Sequence, residues 1–247
     1  MDKNYKLDIT YDGTNYHGWQ EQKSNELTIQ NVMQKAVYAA TQKKVILTAS
    51  GRTDAGVHAL CQVASMQLDT SIPADKLHYA INAYLPEDIR VLKAEIVKDD
   101  FNARFSSKRK TYIYNIYNSR ILNPFYNKYA LQVGAELDIE LMQKNAALLI
   151  GEHDFTSFYK TVQGIEKNPV RTIYNSKFIK NHDLITYEIT GNGFLYNMVR
   201  IIVGTLVKIG IGQEEKDIIS IMNLKNRIYA GPTAKPHGLF LKNVKYD

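Results

Sequence analysis

The sequence predicts an α+β fold of two ferredoxin-like halves, each in the β-α-β-β-α-β order of RNA-recognition modules, with an active-site cleft between them. Three observations predict it. Short runs that alternate apolar and polar residues at period two recur along the chain, and runs with apolar residues three and four apart separate them. The order of the two patterns in the first half returns in the second.

In the first half, Tyr5, Leu7, Ile9 and Tyr11 alternate with Lys6, Asp8 and Thr10, giving a strand that ends at the Asp12-Gly13 turn. The stretch Thr14-Asn15-Tyr16-His17-Gly18-Trp19-Gln20 reads as a loop with exposed aromatic rings. Thr28 caps a helix whose apolar face is Ile29, Val32, Met33, Ala36, Val37 and Ala40. Residues 44–49 are rich in β-branched and apolar types, and Ala64, Met66 and Leu68 alternate with Val63, Ser65 and Gln67, so strands with a loop between them lie on either side of Asp54. Pro73 opens a helix carrying Leu77, Ala80, Ile81 and Tyr84, Pro86 ends it, and residues 89–97 supply a fourth strand.

In the second half, residues 111–117 alternate as a strand, and Asp138 begins a helix with Leu141, Met142, Asn145, Leu148 and Leu149. Residues 171–180 and 184–190 are strands around the Asn181-His182-Asp183 turn. Residues 194–209 read as a long apolar helix, 214–222 as a shorter one, and 239–245 as a closing strand. The expected division is an N-terminal half, residues 1–107, and a C-terminal half, residues 108–247. Identity between the halves is slight, so the duplication rests on element order. Two segments fall outside the plan: residues 118–137, a polar connection with several tyrosines, and residues 152–169, a loop around Phe155, Phe158 and Tyr159. Each is either an RNA or partner surface or a solvated insertion.

Lysine and arginine exceed aspartate and glutamate by 31 − 25 = 6 over 247 residues, and seventeen tyrosines accompany that surplus. Positive charge with many rings suits a polyanion whose bases can stack, RNA above all, better than a small metabolite. The single cysteine, Cys61, excludes an internal disulfide and any cysteine-built zinc site, and points to a reducing cytoplasm. No secretory signal is expected at the start, and the longest apolar stretch, near Ile201, is broken by Arg200 and Lys208, so no membrane insertion is expected.

Chemistry centres on Ser50-Gly51-Arg52-Thr53-Asp54-Ala55-Gly56-Val57-His58-Ala59. Two glycines let the backbone bend or approach a ligand, and a loop fixed at both ends by sheet can hold a reactive group rigidly. Taken alone, an aspartate beside a glycine reads as a turn residue bonding its own backbone. The second clue is Arg200, in Phe194-Leu195-Tyr196-Asn197-Met198-Val199-Arg200-Ile201-Ile202-Val203-Gly204. A buried guanidinium needs a partner, and the expected one is the Asp54 carboxylate, which Arg200 would direct. The plainer alternative is an arginine reaching the surface from the helix edge.

The Gly51 to Ala59 segment closely resembles the active-site stretch of the TruA family of tRNA pseudouridine synthases, in which the aspartate is catalytic. Further matches are Tyr11-Asp12-Gly13 with Gly18-Trp19-Gln20, Ala103-Arg104-Phe105-Ser106 through Lys110-Thr111-Tyr112-Ile113-Tyr114, the Gly191 to Arg200 stretch, and Gly231-Pro232-Thr233-Ala234 with His237-Gly238-Leu239. The resemblance covers nearly the whole chain. It departs at Ser107, where alanine is usual, and at the Lys235-Pro236 spacer, neither of which touches a residue assigned to chemistry.

The resemblance implies a pseudouridine synthase fold and isomerisation of uridine to pseudouridine at nucleotides 38, 39 and 40 of the tRNA anticodon arm, by a homodimer. It implies that Asp54 is catalytic, that Tyr112 stacks on the base and relays a proton, and that Arg52 helps extrude the nucleotide or, equally, shapes the loop through a salt bridge. Leu239 would line the pocket. The reaction gains no electrons or groups, so neither cofactor nor metal is expected. No Walker A loop, Gly-x-Ser-x-Gly elbow or His-Glu-x-x-His pair is present, and Gly191-Asn192-Gly193 lacks the third glycine of a dinucleotide fingerprint. His58 and His237 are expected to be structural hydrogen bonders or RNA contacts. The alternatives are a pseudouridine synthase acting on another tRNA position or RNA, and a tandem RNA-binding protein without catalysis, whose aromatic signature is missing from the central strands.

Overall fold

The computed structural model describes residues 2–22, 27–161 and 168–246. Its first elements are β1 (Lys3–Tyr11), α1 (Ile29–Thr41), β2 (Thr48–Ala49), β3 (His58–Leu68), α2 (Ala74–Asn82) and β4 (Ile89–Ile96). There follow β5 (Arg109–Asn118), β6 (Leu131–Val133), α3 (Ile139–Ala147), β7 (Gly151–Asp154), β8 (Val170–Asn181), β9 (Leu184–Gly191), α4 (Met198–Gly210), α5 (Ile218–Asn223) and β10 (Leu239–Lys245). The chain divides into two units, Met1–Lys108 with Phe240–Asp247, and Arg109–Leu239.

In the first unit, period-two alternation on β1 buries Leu7, Ile9 and Tyr11 and leaves Lys6, Asp8 and Thr10 on the half-open side. Strand β1 lies between β3 and β4, antiparallel to both. Ile29, Met33 and Val37 of α1 and Leu77 and Ile81 of α2 are fully buried, as spacing by three and four requires. Each such side chain contributes about 1.5–3 kcal/mol. Thr28 caps α1 by accepting the Asn31 N–H, and Pro73 stands at the N-cap of α2.

Two expectations are corrected here. The strand expected over 44–49 shrinks to Thr48 and Ala49, which pair with Ser65 and Ala64 of β3. The other end of the same β3 edge is taken by β10, whose Phe240 and Leu241 lie parallel to His58 and Ala59. A strand edge offers one row of hydrogen-bonding groups, so β10 and β2 share it. The closing strand, expected in the C-terminal half, thus finds this partner in the first unit. Strand β3 is also buried at Val63, Ala64, Ser65 and Met66 in succession rather than on one face, and the buried Ala103 donates its N–H to Ser65 Oγ at 3.1 Å.

In the second unit, β5, β9, β8 and β7 form an antiparallel ladder in that order, and β6 runs parallel to β5. Tyr114, Ile116, Ile185, Tyr187 and Ile189 are buried, as are Met142 and Ala146 of α3 and Ile201, Ile202, Val203 and Leu206 of α4. Asp138 caps α3 by accepting the Leu141 N–H. Helix α4 starts at Met198, not Phe194, because Asn197 sits in the left-handed region at φ 62° and a helix cannot continue through such a residue. Helix α5 starts at Ile218, where the Asp217 side chain caps it, rather than at Glu214.

The two extra segments carry structure of their own. Residues 118–137 hold a short 3₁₀ turn at Pro124–Tyr126 and strand β6, and residues 152–169 hold the last part of β7 and a 3₁₀ turn at Thr156–Phe158. Phe155 and Phe158 are fully buried, so they are core rather than contact residues. Residues 162–167 of that expected loop lie outside the described residues.

Candidate active site

The loop between β2 and β3 is held at every turn. Ser50 donates its N–H to Val63 O at 2.7 Å and its hydroxyl to Gln62 Oε1 at 2.6 Å, and Gln62, fully buried, returns its amide N–H to Gly51 O at 2.9 Å. Thr53 Oγ1 and Tyr11 Oη share a 2.8 Å hydrogen bond, and Trp19 N–H donates to Thr53 O at 3.1 Å. Gly56, at φ 73°, closes the turn, with its N–H on Tyr16 O at 3.2 Å and the Val57 N–H on Asp54 O at 3.1 Å. Within that frame Thr53 and Val57 are buried, Asp54 is half-buried and Arg52 is exposed. One carboxylate at the mouth of a rigid loop is the arrangement that positions a reactive group.

What holds the loop is the segment Asp12 to Gln20. Here the expectation of exposed rings fails: Tyr16 is 5% exposed and Trp19 1%. Gly13 and Gly18 allow the close approach. A Cβ on Gly13 would stand 2.0 Å from Val57 O, and one on Gly18 would stand 2.5 Å from Thr53 O. His58 Nδ1 lies 3.0 Å from both Gly13 N and Asp12 Oδ1, and its ring stacks on Phe240 at 4.6 Å. His58 is therefore a structural hydrogen bonder, as is His237, whose Nε2 lies 3.1 Å from Ala130 O. Paired glycines bracketing an aromatic stretch were the signal in the sequence for a clamp rather than a free loop.

Burial raises the Tyr11 phenol to about 12, although bonds to Thr53 and Gln62 favour its ionised form. A phenol that keeps its proton in the folded state but loses it near 10 when unfolded makes the unfolded state the poorer proton binder between those values. Stability should therefore fall as pH rises from about 10 to about 12 and beyond, by up to about 2.7 kcal/mol from this residue. Melting temperature followed across that range is the check, and Tyr11→Phe should flatten the fall.

In the second unit, Arg200 is half-buried and held by two bonds: Nε donates to Ala234 O at 2.7 Å and Nη1 to Asn197 Oδ1 at 2.8 Å. Its own carbonyl accepts the Ala234 N–H at 3.1 Å. The Gly231 to Ala234 segment reaches it through glycine contacts, since a Cβ on Gly204 would lie 1.9 Å from Pro232 O and one on Gly231 2.7 Å from the Gly204 carbonyl. Tyr112 is 7% exposed and meets Phe194 edge to face at 5.2 Å and 86°. Tyr114, on the same face, is core: fully buried, it donates its hydroxyl to Lys235 O at 2.7 Å, and burial pushes its phenol well above the usual range. Leu239 is 6% exposed. Thus Arg52 and Asp54 share one loop, Arg200 is joined to Asn197 and Ala234, and Tyr112 to Phe194. Asn197 and the Asp12 to Gln20 clamp were not singled out for these roles by sequence reasoning. Among the described residues no group of three or more His, Cys, Asp or Glu side chains is placed to hold a metal ion, and no helix is long and apolar enough to cross a membrane.

A family profile described as tRNA pseudouridine synthase matches residues 9–106 and 146–247. The chain is 48% identical over 245 residues to a tRNA pseudouridine synthase A of Thermoanaerobacter sp. (strain X514), covering 99% of this chain and 100% of that one. It is 44% identical over 249 residues to tRNA pseudouridine synthase A 2 of Clostridium tetani (strain Massachusetts / E88), covering the whole of both chains. It is 40% identical over 244 residues to tRNA pseudouridine synthase A 2 of Bacillus anthracis, covering 98% of this chain and 99% of that one. Among solved structures, a chain of one titled "Crystal Structure of a Cbf5-Nop10-Gar1 Complex" aligns with TM-score 0.38 at 10% identity over 96% of this chain, which spans about half (48%) of that chain, a likeness too distant to bear on the fold. With its profile match over most of its length and full-length relatives at this identity, the chain belongs to the tRNA pseudouridine synthase family, enzymes that isomerise uridine to pseudouridine.

Proposed function

We propose that this chain acts on uridines 38, 39 and 40 of the tRNA anticodon stem-loop, with Asp54 as the catalytic carboxylate. The observation that carries the reading is the clamped loop, which spends the seven hydrogen bonds described above and two glycine contacts on holding one half-buried aspartate in place. A non-catalytic RNA binder gives no reason for such rigidity.

The reaction breaks the N1 to C1′ bond, turns the uracil, and joins C5 to C1′; the proton lost from C5 is balanced by one gained at N1. No electrons move between molecules, so the chain needs no redox partner. The target must leave its stack before a carboxylate can reach the sugar. Asp54 then acts either as nucleophile at C1′ or as base at C2′. Hydrolytic glycosidases use two carboxylates because their leaving group departs for good. Here one suffices, because the uracil anion stays bound.

The other roles follow the same reading. Arg52, exposed beside Asp54, occupies the place of the extruded nucleotide or grips its phosphate. Tyr112 stacks on the detached uracil and relays the C5 proton, with Phe194 steadying its ring from the edge. Leu239 lines the uracil pocket, and Arg200 directs the Asp54 carboxylate, a pairing supported by the two bonds that fix its guanidinium. The working form is a cytoplasmic homodimer holding tRNA. Position-by-position mapping of pseudouridine in tRNA from a strain lacking this chain tests the substrate. Uridine should persist at positions 38, 39 and 40 and return to pseudouridine when the chain is restored; loss of pseudouridine elsewhere, with those three positions unchanged, would contradict it.

A further inference from the structure

Asn197 occupies a position whose backbone asks for glycine and whose side chain has a different use. Its φ of 62° lies in the left-handed region, where glycine is the cheapest residue and asparagine is tolerated. It is the N-cap of α4, and asparagine at an N-cap ordinarily accepts a backbone N–H from the first turn. Asn197 makes no such cap bond. Its Oδ1, on a residue only 8% exposed, accepts instead from Arg200 Nη1 at 2.8 Å.

From this geometry we infer that Asn197 is a positioning residue for Arg200, which sets the direction of the guanidinium and through it that of the catalytic carboxylate. The inference rests on the role proposed above for Arg200. A guanidinium held at one nitrogen can still swing about that bond. Held at two, by acceptors from different parts of the chain, its plane is fixed. Ala234 O holds Nε and is itself located by the Gly204 and Gly231 contacts; Asn197 Oδ1 holds Nη1 and is located by the left-handed backbone that turns it toward the helix. The edge bearing Nη2 is thereby aimed. Glycine at 197 would suit the backbone at least as well and would lose only the second anchor.

Asn197→Gly, Arg200→Lys and the double variant form the test, with kcat and KM read from tritium release and folding from the melting temperature. Asn197→Gly should lower kcat about tenfold with KM within about twofold and the melting temperature unchanged within a few degrees. Arg200→Lys, which loses the planar fork, should lower kcat about 100-fold, and adding Asn197→Gly to it should change kcat by less than about twofold. Should Asn197→Gly fail to fold, Asn197→Ala takes its place in the same cycle. Nitrogen-15 NMR supplies a readout that does not depend on turnover: separate Nη signals from Arg200 in the wild type should merge in the variant as rotation about Nε–Cζ is released. Wild-type kcat in Asn197→Gly beside an impaired Arg200→Lys, or an equal loss in both backgrounds, overturns the inference and leaves the role of Arg200 standing. Full kcat in Arg200→Lys overturns that role, and the inference with it.

Discussion

Asp54→Asn is expected to abolish tritium release from tRNA labelled at uridine C5, lowering kcat by at least about 10⁴-fold while RNA affinity stays within a few-fold of wild type. Asparagine keeps the shape of the side chain and loses the charge that both candidate roles, attack at C1′ and proton removal at C2′, require. The loop should survive the change, because the hydrogen bonds that clamp it run through the Asp54 carbonyl, Thr53, Gly56 and Ser50. Binding measured by filter retention and turnover by tritium release therefore separate. Turnover near wild type would remove Asp54 from the chemistry.

Gly18→Ala should be nearly as damaging although it leaves every charged group in place. Gly18 has φ 85°, and an added Cβ would stand 2.5 Å from Thr53 O and 3.1 Å from the Asp54 carbonyl carbon and the Ala55 nitrogen. Those neighbours are backbone, so the loop itself must give way. The left-handed conformation and the collision together should cost about 2–4 kcal/mol of stability. A displacement of Asp54 by about 1 Å is enough to lower kcat about 100-fold. Gly212→Ala is the control: its φ of 73° carries a similar backbone penalty, but no heavy atom stands within 4 Å of the added Cβ, so stability should fall while kcat holds. Equal kcat losses in the two variants would show that the Asp12 to Gln20 clamp does not set the position of Asp54.

Much of this was legible in the residues. Period-two alternation placed β1, β5 and β9, and Thr28 and Asp138 marked helix starts because their side chains do cap. The loop that carries Asp54 was legible as a loop because two glycines lie between two strand-like runs, whereas the role proposed for Asp54 came from the resemblance of the Gly51 to Ala59 stretch and not from its local chemistry. Distant strand pairing and backbone strain were harder to read. The closing strand β10 joins the β3 edge at His58 and Ala59, on the same edge that β2, nearly two hundred residues away in sequence, meets at Ala64 and Ser65. Helix α4 starts late because one asparagine adopts a left-handed backbone, which asparagine permits without demanding. The buried rings of Tyr16 and Trp19 looked exposed because polar Thr14, Asn15, His17 and Gln20 surround them in sequence, whereas in space they pack beneath the loop they support.

On the function proposed above, this chain alone rebuilds a uridine in place within the anticodon arm. The most direct measurement incubates the purified protein with an unmodified tRNA transcript in buffer containing a chelator, then maps pseudouridine by carbodiimide labelling and primer extension. Stops at positions 38, 39 or 40 that grow with time are the predicted result. A transcript left unchanged, or one converted only after a metal or cofactor is added, would contradict the account.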